Sequence, residues 1–432
     1  MAKKKTEKPA RELTRRQLSR WQQESQRQRV ILISGAAVIL ATLAIMSGGW
    51  YATQYRPMHE TVIQVNNTRF DMDYYIKMLK FFGKGRDIYT LYSMTDQVAR
   101  NIEVNELMRQ AVAKLGVTAT SAEINAELKA RNLSKDYRDL AVAQLITNKL
   151  RDGYFDQEVP RTAEQRHIMA MFLENEKQAT EVRARLEKGE GFTALAAELS
   201  VDTVTKEKKG DLGWQSQDVL ALQLGTSVVG DKAFTREAGV LSQPIYDESK
   251  VKTVGYWLSE VLDRADPQKP TVQVILLGSE EQAQTVKDRL KAGEEFGTVA
   301  KEVSQLPGAK DDGGYLGPIA PGSVTKAFDA VVFGPNTPVE TVTGPVRDVE
   351  ASSRGGYWLL NVLEIAKDKP IEESDRTILK NKALSDWLTL LQADPQNTVK
   401  SFLDESKRAF AVEKASGGQA GNTLPIGGGP TP

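Results

Sequence analysis

The sequence predicts an α+β protein behind a single transmembrane helix. Three observations support this class: a long uncharged stretch near the N-terminus, an internal repeat, and helical periodicity on both sides of the repeat. Each copy of the repeat joins apolar, strand-like runs to amphipathic helices. Strands and helices that are segregated along the chain in this way are typical of α+β domains.

The uncharged stretch is residues 30–51, VILISGAAVILATLAIMSGGWY. As a helix it spans about 33 Å, enough to cross a hydrocarbon core of roughly 30 Å. Trp50 and Tyr51 close one end, where aromatic rings favour the membrane interface. A cleaved signal peptide is the alternative, but its apolar region usually has only about 7–15 residues and a small-residue cleavage site. An uncleaved anchor is therefore favoured.

Charge gives this helix an orientation. Residues 1–29 hold ten basic and three acidic residues, a net charge of +7, while the remainder holds 47 basic and 54 acidic residues, or −7. The positive-inside rule keeps the basic arm in the cytoplasm. We therefore predict a single-pass membrane protein with the bulk of the chain extracytoplasmic. Nucleic-acid binding by the arm is less favoured, because juxtamembrane basic segments more often meet anionic lipid.

Composition excludes most cofactor chemistry. The chain has no cysteine and two histidines, His59 and His167. A disulfide, a thiol nucleophile, a cysteine–zinc site and a multi-histidine metal site are thereby ruled out. There is no phosphate-binding or dinucleotide glycine motif and no nucleophile-elbow serine. No cofactor and no metal are expected.

The repeat predicts two tandem modules. Residues 175–200 and 279–304 are identical at 12 of 26 positions, and the tetrapeptide at 255–258, Gly-Tyr-Trp-Leu, recurs at 356–359. Each module begins with a buried strand, at 167–173 or 272–277, followed by a helix ending at Gly189 or Gly293. A second helix starts at Phe192 or Phe296, and two β-rich runs close each module.

Helices are expected on both sides of the modules. They are predicted at 70–82, 95–115, 121–131 and 140–155 before the modules and at 372–391 and 399–411 after them. Ser121 is a suitable helix start, although a full capping box around it is absent. Residues 416–432 are rich in Gly and Pro and are predicted to be disordered.

The first module resembles a known family. The match runs from Arg166-His167-Ile168 through GEGF at 189–192, GDLGW at 210–214, Pro244 and Gly255-Tyr256, and it resembles the parvulin type of peptidyl-prolyl cis-trans isomerase. The strings at 104–107, 113–117 and 123–124 look like the helical N-terminal domain of SurA-type exported chaperones. The resemblance implies two parvulin-like (βαααβαββ-type) domains and a SurA-like N-terminal domain completed by C-terminal helices.

The implied organisation has seven segments. In chain order they are a cytoplasmic basic arm (1–29), a transmembrane helix (30–51), a helical chaperone domain (56–160), parvulin-like domains one (161–266) and two (269–367), C-terminal helices packing on the N-terminal domain (371–413), and a disordered tail (416–432).

The resemblance also implies site residues. In module one His167 takes the first histidine position and Asp202 the acidic position, and both are candidate catalytic residues; the second histidine position is Trp257. Module two has lost both histidines. The implied substrate-binding residues of module one are Leu212, Val229, Phe234 and Trp257, and those of module two are Leu316, Val324, Phe328, Phe333 and Trp358.

Plainer roles stay open for several of these residues. His167 sits in a predicted buried strand and is equally explained as a core histidine. Asp202 is slightly better explained as a turn or cap residue. The two tryptophans are more often core aromatics than ligands, and Phe328 fits a helix core as well as a pocket.

Two functions follow from the resemblance. The first is a membrane-anchored extracytoplasmic peptidyl-prolyl cis-trans isomerase and folding chaperone for exported proteins. The second is a non-catalytic chaperone with degenerate parvulin domains. A structural scaffold has no specific sequence support. The expected partners are unfolded or proline-containing exported polypeptides and the lipid bilayer, with the export machinery as a further candidate and no nucleic acid.

Overall fold

The computed structural model describes residues 15–417, which form two compact units. Unit 1 combines the chain up to Lys149 with the chain from Asp386 onward, and unit 2 is the segment Leu150–Ser385. The first fourteen residues of the predicted basic arm, and the predicted disordered tail beyond Gly417, lie outside the described residues.

A long apolar helix opens the described chain. Helix α1 (Arg15–Trp50) continues through a π-helical segment (Tyr51–Tyr55) into α2 (Arg56–Met58). The candidate span Leu32–Met58 contains an 18-residue window with a mean hydropathy of 1.9, and none of that window is buried. By length and composition this helix is a candidate membrane span, a property that a signal sequence at an N-terminus shares. The predicted apolar helix is thus present, and it extends past Tyr51.

Unit 1 contains strands that the sequence did not predict. Its N-terminal part consists of β1 (Thr61–Val65), β2 (Thr68–Asp71), α3 (Met72–Phe82), α4 (Ile88–Ser93), α5 (Thr95–Val112), α6 (Ser121–Ala130) and α7 (Arg138–Lys149), with 3-10 turns at Ala113–Leu115 and Lys135–Tyr137. The two strands pair as an antiparallel hairpin. The predicted helix at residue 70 begins two residues later, because the side chain of Asp71 caps it by accepting a hydrogen bond from the Tyr74 N–H.

A capping box starts α6, contrary to the sequence analysis. Thr120, one residue before the expected start, is the N-cap: its hydroxyl accepts from the Glu123 N–H, and the Glu123 carboxylate accepts from the Thr120 N–H at 2.7 Å. Two otherwise unpaired backbone donors are satisfied reciprocally. The Thr-x-x-Glu pattern of a capping box starts at Thr120 in the sequence, and Ser121 is already the first residue of the helix.

Unit 2 carries the repeat. Its elements are α8 (Phe155–Glu158), β3 (Thr162–Leu173), α9 (Glu176–Glu187), α10 (Phe192–Leu199), α11 (Thr203–Glu207), β4 (Asp211–Gln215), α12 (Gln217–Leu224), α13 (Val228–Ala233), β5 (Ile245–Lys252), β6 (Gly255–Asp263), β7 (Thr271–Leu277), α14 (Glu280–Lys291), α15 (Phe296–Val303), β8 (Tyr315–Pro318), α16 (Lys326–Val332), β9 (Val342–Asp348), β10 (Ser353–Pro370) and the first part of α17 (Glu373–Ala393), after a π-helical turn at Leu150–Tyr154. The α+β class is confirmed.

The two four-stranded sheets exchange their last strands. One sheet has the order β4-β3-β10-β5 and the other β8-β7-β6-β9. Strand β6, which follows module one in the chain, therefore lies in the sheet of module two, and β10 lies in the sheet of module one. The domain limits at 161–266 and 269–367 place both strands in their own modules, so the observed sheets differ from that tandem arrangement.

The connection between β5 and β6 gives a physical reason for the exchange. Only Thr253 and Val254 separate Lys252 from Gly255. A two-residue hairpin needs positive φ in its turn, which β-branched residues adopt poorly. Val254 is instead 5% exposed and packs in the core of the second sheet. The chain thus passes from one sheet directly into the next.

The C-terminal part returns to unit 1, as the resemblance implies. Strand β11 (Val399–Ser401) pairs antiparallel with β1, and α18 (Glu405–Ala415) adds Ala411 and Val412 to the hydrophobic core of that unit. The predicted helix at 399–411 is therefore a strand followed by a helix, since Asp404 caps a later start.

The beginning of α17 belongs to unit 2. The Arg376 guanidinium donates to the carbonyls of Val159 and Pro160 and to the Asp156 carboxylate at 2.7 Å. Lys380 lies 3.4 Å from the same carboxylate. These buried cations hold the first turns of the helix to residues 156–160, so of the predicted segment 371–413 only the part from Asp386 onward joins unit 1.

Candidate functional site

His167 lies on one face of β3 and the apolar cluster of module one on the other. Ile168, Ala170 and Phe172 belong to that cluster, and side chains alternate along a strand. The His167 imidazole is half-buried and donates from Nε2 to Asp211 at 2.9 Å. Its Nδ1 lies 3.9 Å from the Glu364 carboxylate. His167 is therefore a histidine held between two carboxylates.

Asp202 caps a helix. It is the N-cap of α11, its Oδ1 accepts from the Thr205 N–H at 2.8 Å, and its Oδ2 pairs with the Lys250 ammonium at 2.6 Å. The side chain is 5% exposed. The structure thus places Asp202 in the cap role that the sequence slightly favoured, and its bonding partners differ from those of His167.

The pocket residues of module one gather around Trp358. Leu212 and Val229 are buried in a cluster against which Phe234 packs, and the Trp358 ring lies 4.6 Å from that of Phe172. Trp358 is fully buried and comes from β10. The indole therefore reaches this pocket only because the strands are exchanged.

The pocket residues of module two gather around Trp257. Buried Phe328 meets the Trp257 ring edge-on at 5.2 Å, and Leu316, Val324 and Phe333 pack against the same cluster. The sequence assigned Trp257 to module one and Trp358 to module two. The structure reverses both assignments, because β6 and β10 each complete the opposite sheet.

The same three side chains meet beneath each pocket. In module one the Trp358 indole donates to Asp247 at 3.0 Å, and the Thr226 hydroxyl donates to the same carboxylate oxygen at 2.7 Å. In module two the Trp257 indole donates to Asp348 at 2.8 Å, and Thr325 donates to that oxygen as well. We call these the Trp–Asp–Thr clusters.

Both aspartates of these clusters are buried and ionised. Burial by itself raises the pKa of Asp247, but hydrogen bonds from Trp358, Thr226 and Ser249 outweigh it and leave that pKa below its usual value. Burial and hydrogen bonds act in the same way on the pKa of Asp348, where the main donor is Thr325. Each carboxylate is thus a fixed anchor for an indole.

Sequence reasoning missed the Trp–Asp–Thr clusters. A signal was available, because an aspartate precedes the tryptophan by ten residues in both copies, Asp247 before Trp257 and Asp348 before Trp358. Asp211 and Glu364 beside His167 were also missed. Glu364 is distant in sequence and faces His167 only through the β3–β10 pairing.

No metal-binding cluster of three His, Asp or Glu side chains occurs among the described residues. What the site offers is apolar enclosure, buried hydrogen-bonding groups and one histidine. Rotation about a peptide bond breaks no covalent bond, so a site of this composition is chemically sufficient for that reaction.

Known proteins resemble the two modules and also a larger part of the chain. The PPIC-type PPIase domain of the rotamase family matches residues 167–256 and 278–364. Foldase protein PrsA 4 of Bacillus cereus is 33% identical over 120 residues, which are 27% of this chain and 40% of that protein. Chaperone SurA of Hahella chejuensis is 25% identical over 333 residues, covering 69% of this chain and 74% of SurA.

Among solved structures, this chain matches PrsA of Bacillus anthracis at 12% identity and a TM-score of 0.26, over 80% of this chain and 95% of that one. A SurA-like chaperone structure from Campylobacter jejuni matches at 13% identity and a TM-score of 0.20, over 78% of this chain and 96% of that one. The family match confirms the predicted parvulin type for both modules. The sequence relatives confirm the predicted likeness to exported foldases and chaperones.

Proposed function

We propose that this chain, which carries two PPIC-type peptidyl-prolyl isomerase domains of the parvulin type, is an extracytoplasmic, membrane-anchored isomerase and folding chaperone for exported proteins. The observation that carries the proposal is the coincidence of the two matched stretches with the two sheet-and-helix modules. Relatives named as a foldase and a chaperone support the same class of function.

The location rests on charge and hydropathy. An apolar helix of 27 residues follows an arm with a net charge of +7, and the basic side of a span stays in the cytoplasm. Both modules would then face the exported polypeptides. The lipid bilayer is the partner of the helix, and the export machinery is a further candidate partner of the chain.

The reaction is rotation about an X–Pro bond, whose barrier is roughly 18–20 kcal/mol. An enzyme lowers it by binding the twisted amide better than the planar one. The apolar clusters around Trp358 and Trp257 would bind the proline ring. The Nε2–H of His167 is engaged by Asp211, so the imidazole would reach a carbonyl oxygen of the client only through a second N–H, at Nδ1, on the side where Glu364 lies 3.9 Å away.

A non-catalytic holding function is the second candidate, and the buried tryptophans favour it. Trp358 is 0% and Trp257 3% exposed, so each indole occupies the pocket that a proline ring would need. His167 also lies on the face of β3 away from the cluster around Trp358. Modules of this kind would present surfaces to unfolded clients without twisting an amide.

The full chain in detergent micelles should be tested by NMR exchange spectroscopy on a proline-containing peptide. The isomerase proposal expects acceleration of cis/trans exchange by the wild type, a large loss in His167→Ala and no loss in His59→Ala, the other histidine of the chain. Absence of acceleration by the wild type overturns it. Suppression of client aggregation by the same inactive chain would then support the holding function.

A further inference from the structure

A two-part cleft lies between the two modules of unit 2. One part has a volume of about 1150 Å³ and the other about 700 Å³, and both are lined by Tyr246, Glu281, Gln282 and Arg354. The shared lining makes the two parts continuous. Sites for small ligands usually measure about 300–1,000 Å³, so a cleft of this combined size suits a stretch of polypeptide better than a metabolite.

Two tyrosines form part of the wall of the cleft. The rings of Tyr246 and Tyr357 lie 5.1 Å apart, and Tyr246 is 47% exposed. Burial raises the pKa of both phenols, so they remain neutral hydrogen-bond donors at physiological pH. Gly355, with a φ of +87°, lets the backbone of β10 approach the Tyr246 hydroxyl, where a Cβ would lie 3.1 Å from it.

The cleft is separate from the apolar pocket of the same module. Tyr357 packs with the cluster around α9, whereas the next residue, Trp358, lies in the cluster around Leu212. Neighbouring residues of a strand point to opposite faces of the sheet. The cleft therefore opens on the face of the sheet away from the Trp–Asp–Thr cluster.

An open sheet edge borders the cleft. Strand β5 is the terminal strand of its sheet and contributes Tyr246 and the 53% exposed Val251 to the lining. A terminal strand offers unpaired N–H and C=O groups to which an extended peptide can add as a further strand. In β5 the N–H groups of Ser249 and Lys250 are exceptions, because they donate to the Asp247 carboxylate where the pairing with β10 is irregular. Helix α14 forms the opposite wall through Gln282, Thr285 and Arg289.

The charge of the cleft indicates an uncharged occupant. Five acidic and five basic side chains line its two parts, so their formal charges cancel. This balance disfavours nucleic acid and anionic surfaces, which need an excess of positive charge. The exposed Tyr246 ring favours proline, because proline-rich extended segments bind in grooves lined by aromatic side chains.

We propose that the cleft between β5 and α14 binds an extended, uncharged, proline-containing segment of a client polypeptide, with its backbone along β5 and a proline ring against Tyr246. This site rests on the proposed function, since it presumes unfolded clients. The exchanged strands create it, because they hold the two modules side by side. A client held in the cleft, on one face of the sheet, would thus stay bound while another of its prolines is released from and rebinds the apolar pocket on the other face.

Fluorescence anisotropy on the full chain in micelles tests the site. The probe is a labelled, uncharged peptide of about ten residues with several prolines, long enough to span about 30 Å when extended. Tyr246→Ala should weaken binding at least about fivefold, because an aromatic contact is lost. Thr285→Trp, which fills the cleft from α14, should weaken binding as well.

Tyr315→Ala is the matched control, since Tyr315 is 50% exposed on the terminal strand β8 and does not line the cleft. It should bind like the wild type. Unchanged binding in both Tyr246→Ala and Thr285→Trp overturns the site. Peptide binding that depends on Tyr246 in a chain without isomerase activity supports the site and contradicts only the enzymatic part of the proposed function.

Discussion

Trp358 donates its indole N–H to the buried carboxylate of Asp247 at 3.0 Å, although the repeat assigns the two residues to different modules. Trp257 and Asp348 repeat the contact at 2.8 Å in the other sheet. Each pair joins an exchanged strand to the sheet that receives it. The interior of each module thus depends on a residue from the sequence of its neighbour.

Asp247→Asn should destabilise the protein. Both carboxylate oxygens accept hydrogen bonds, Oδ2 from Trp358 and Thr226 and Oδ1 from the N–H groups of Ser249 and Lys250. Whichever way an Asn amide is turned, its own N–H groups would face one of these pairs of donors. We expect a loss of about 1–3 kcal/mol in the free energy of unfolding, measured by urea titration at pH 7. Glu248→Gln, at the exposed neighbouring position, is the control and should change the urea midpoint little.

Lowering the pH should remove the contribution of Asp247 to stability. Because the pKa of Asp247 is lower in the folded chain, its contribution to stability is present above the unfolded pKa of about 4 and is lost as pH falls through the folded value. The difference in unfolding free energy between wild type and Asp247→Asn should therefore shrink as pH falls below about 4. A difference that stays constant down to the lowest pH at which the chain folds would contradict this role.

Lys252 should make stability rise in alkali. Burial lowers its pKa from 10.5 to about 8, although nearby Glu174 opposes the shift. Between these two values the unfolded chain binds more protons than the folded chain, so this lysine raises the free energy of unfolding as pH increases, by about 3 kcal/mol at most. The difference in unfolding free energy between wild type and Lys252→Met should show that rise in urea titrations from pH 8 to 10. The corresponding difference for the exposed Lys177→Met should not rise. An equal dependence on pH for both variants would argue against a buried ammonium at Lys252.

Arg376 should determine whether the start of α17 stays attached to residues 156–160. Its guanidinium satisfies the carbonyls of Val159 and Pro160 and is 3% exposed. Arg376→Ala would leave the carbonyl of the buried Val159 without this donor, which is costly. We expect a lower thermal midpoint and new protease cleavage near residue 371. Thr377→Ala removes a hydroxyl that donates within the same helix, to the Glu373 carbonyl, and should remain resistant. Equal resistance in Arg376→Ala would be the contrary result.

Much of the local structure could be predicted because it depends on local signals. Helices α10 and α15 begin at Phe192 and Phe296 as expected, and the parvulin type of both modules followed from a short string of glycines and aromatic residues. The return of the C-terminal chain to unit 1 followed from the family resemblance.

The strand exchange could not be predicted from the repeat. Strands β6 and β10 both contain the sequence Gly-Tyr-Trp-Leu, so the apolar pattern of either strand fits either sheet. The one local clue was the Thr253-Val254 connection, which is unsuited to a hairpin. The environments of His167 and both tryptophans depend on this long-range pairing. Their partners therefore could not be predicted from the sequence of their own modules.

Cross-linking of paired cysteines tests the exchange of strands between the two modules most directly. The chain has no cysteine of its own. Ala163 and Lys369 are register partners in β3 and β10, and such partners have Cα atoms about 5 Å apart, within disulfide range. Gln268 occupies the position that corresponds to Lys369 in the repeat. Ala163→Cys with Lys369→Cys should form a disulfide on mild oxidation, detected by mass spectrometry of the digest, while Ala163→Cys with Gln268→Cys should not. The reverse pattern would show that each module keeps its own last strand and would contradict the account.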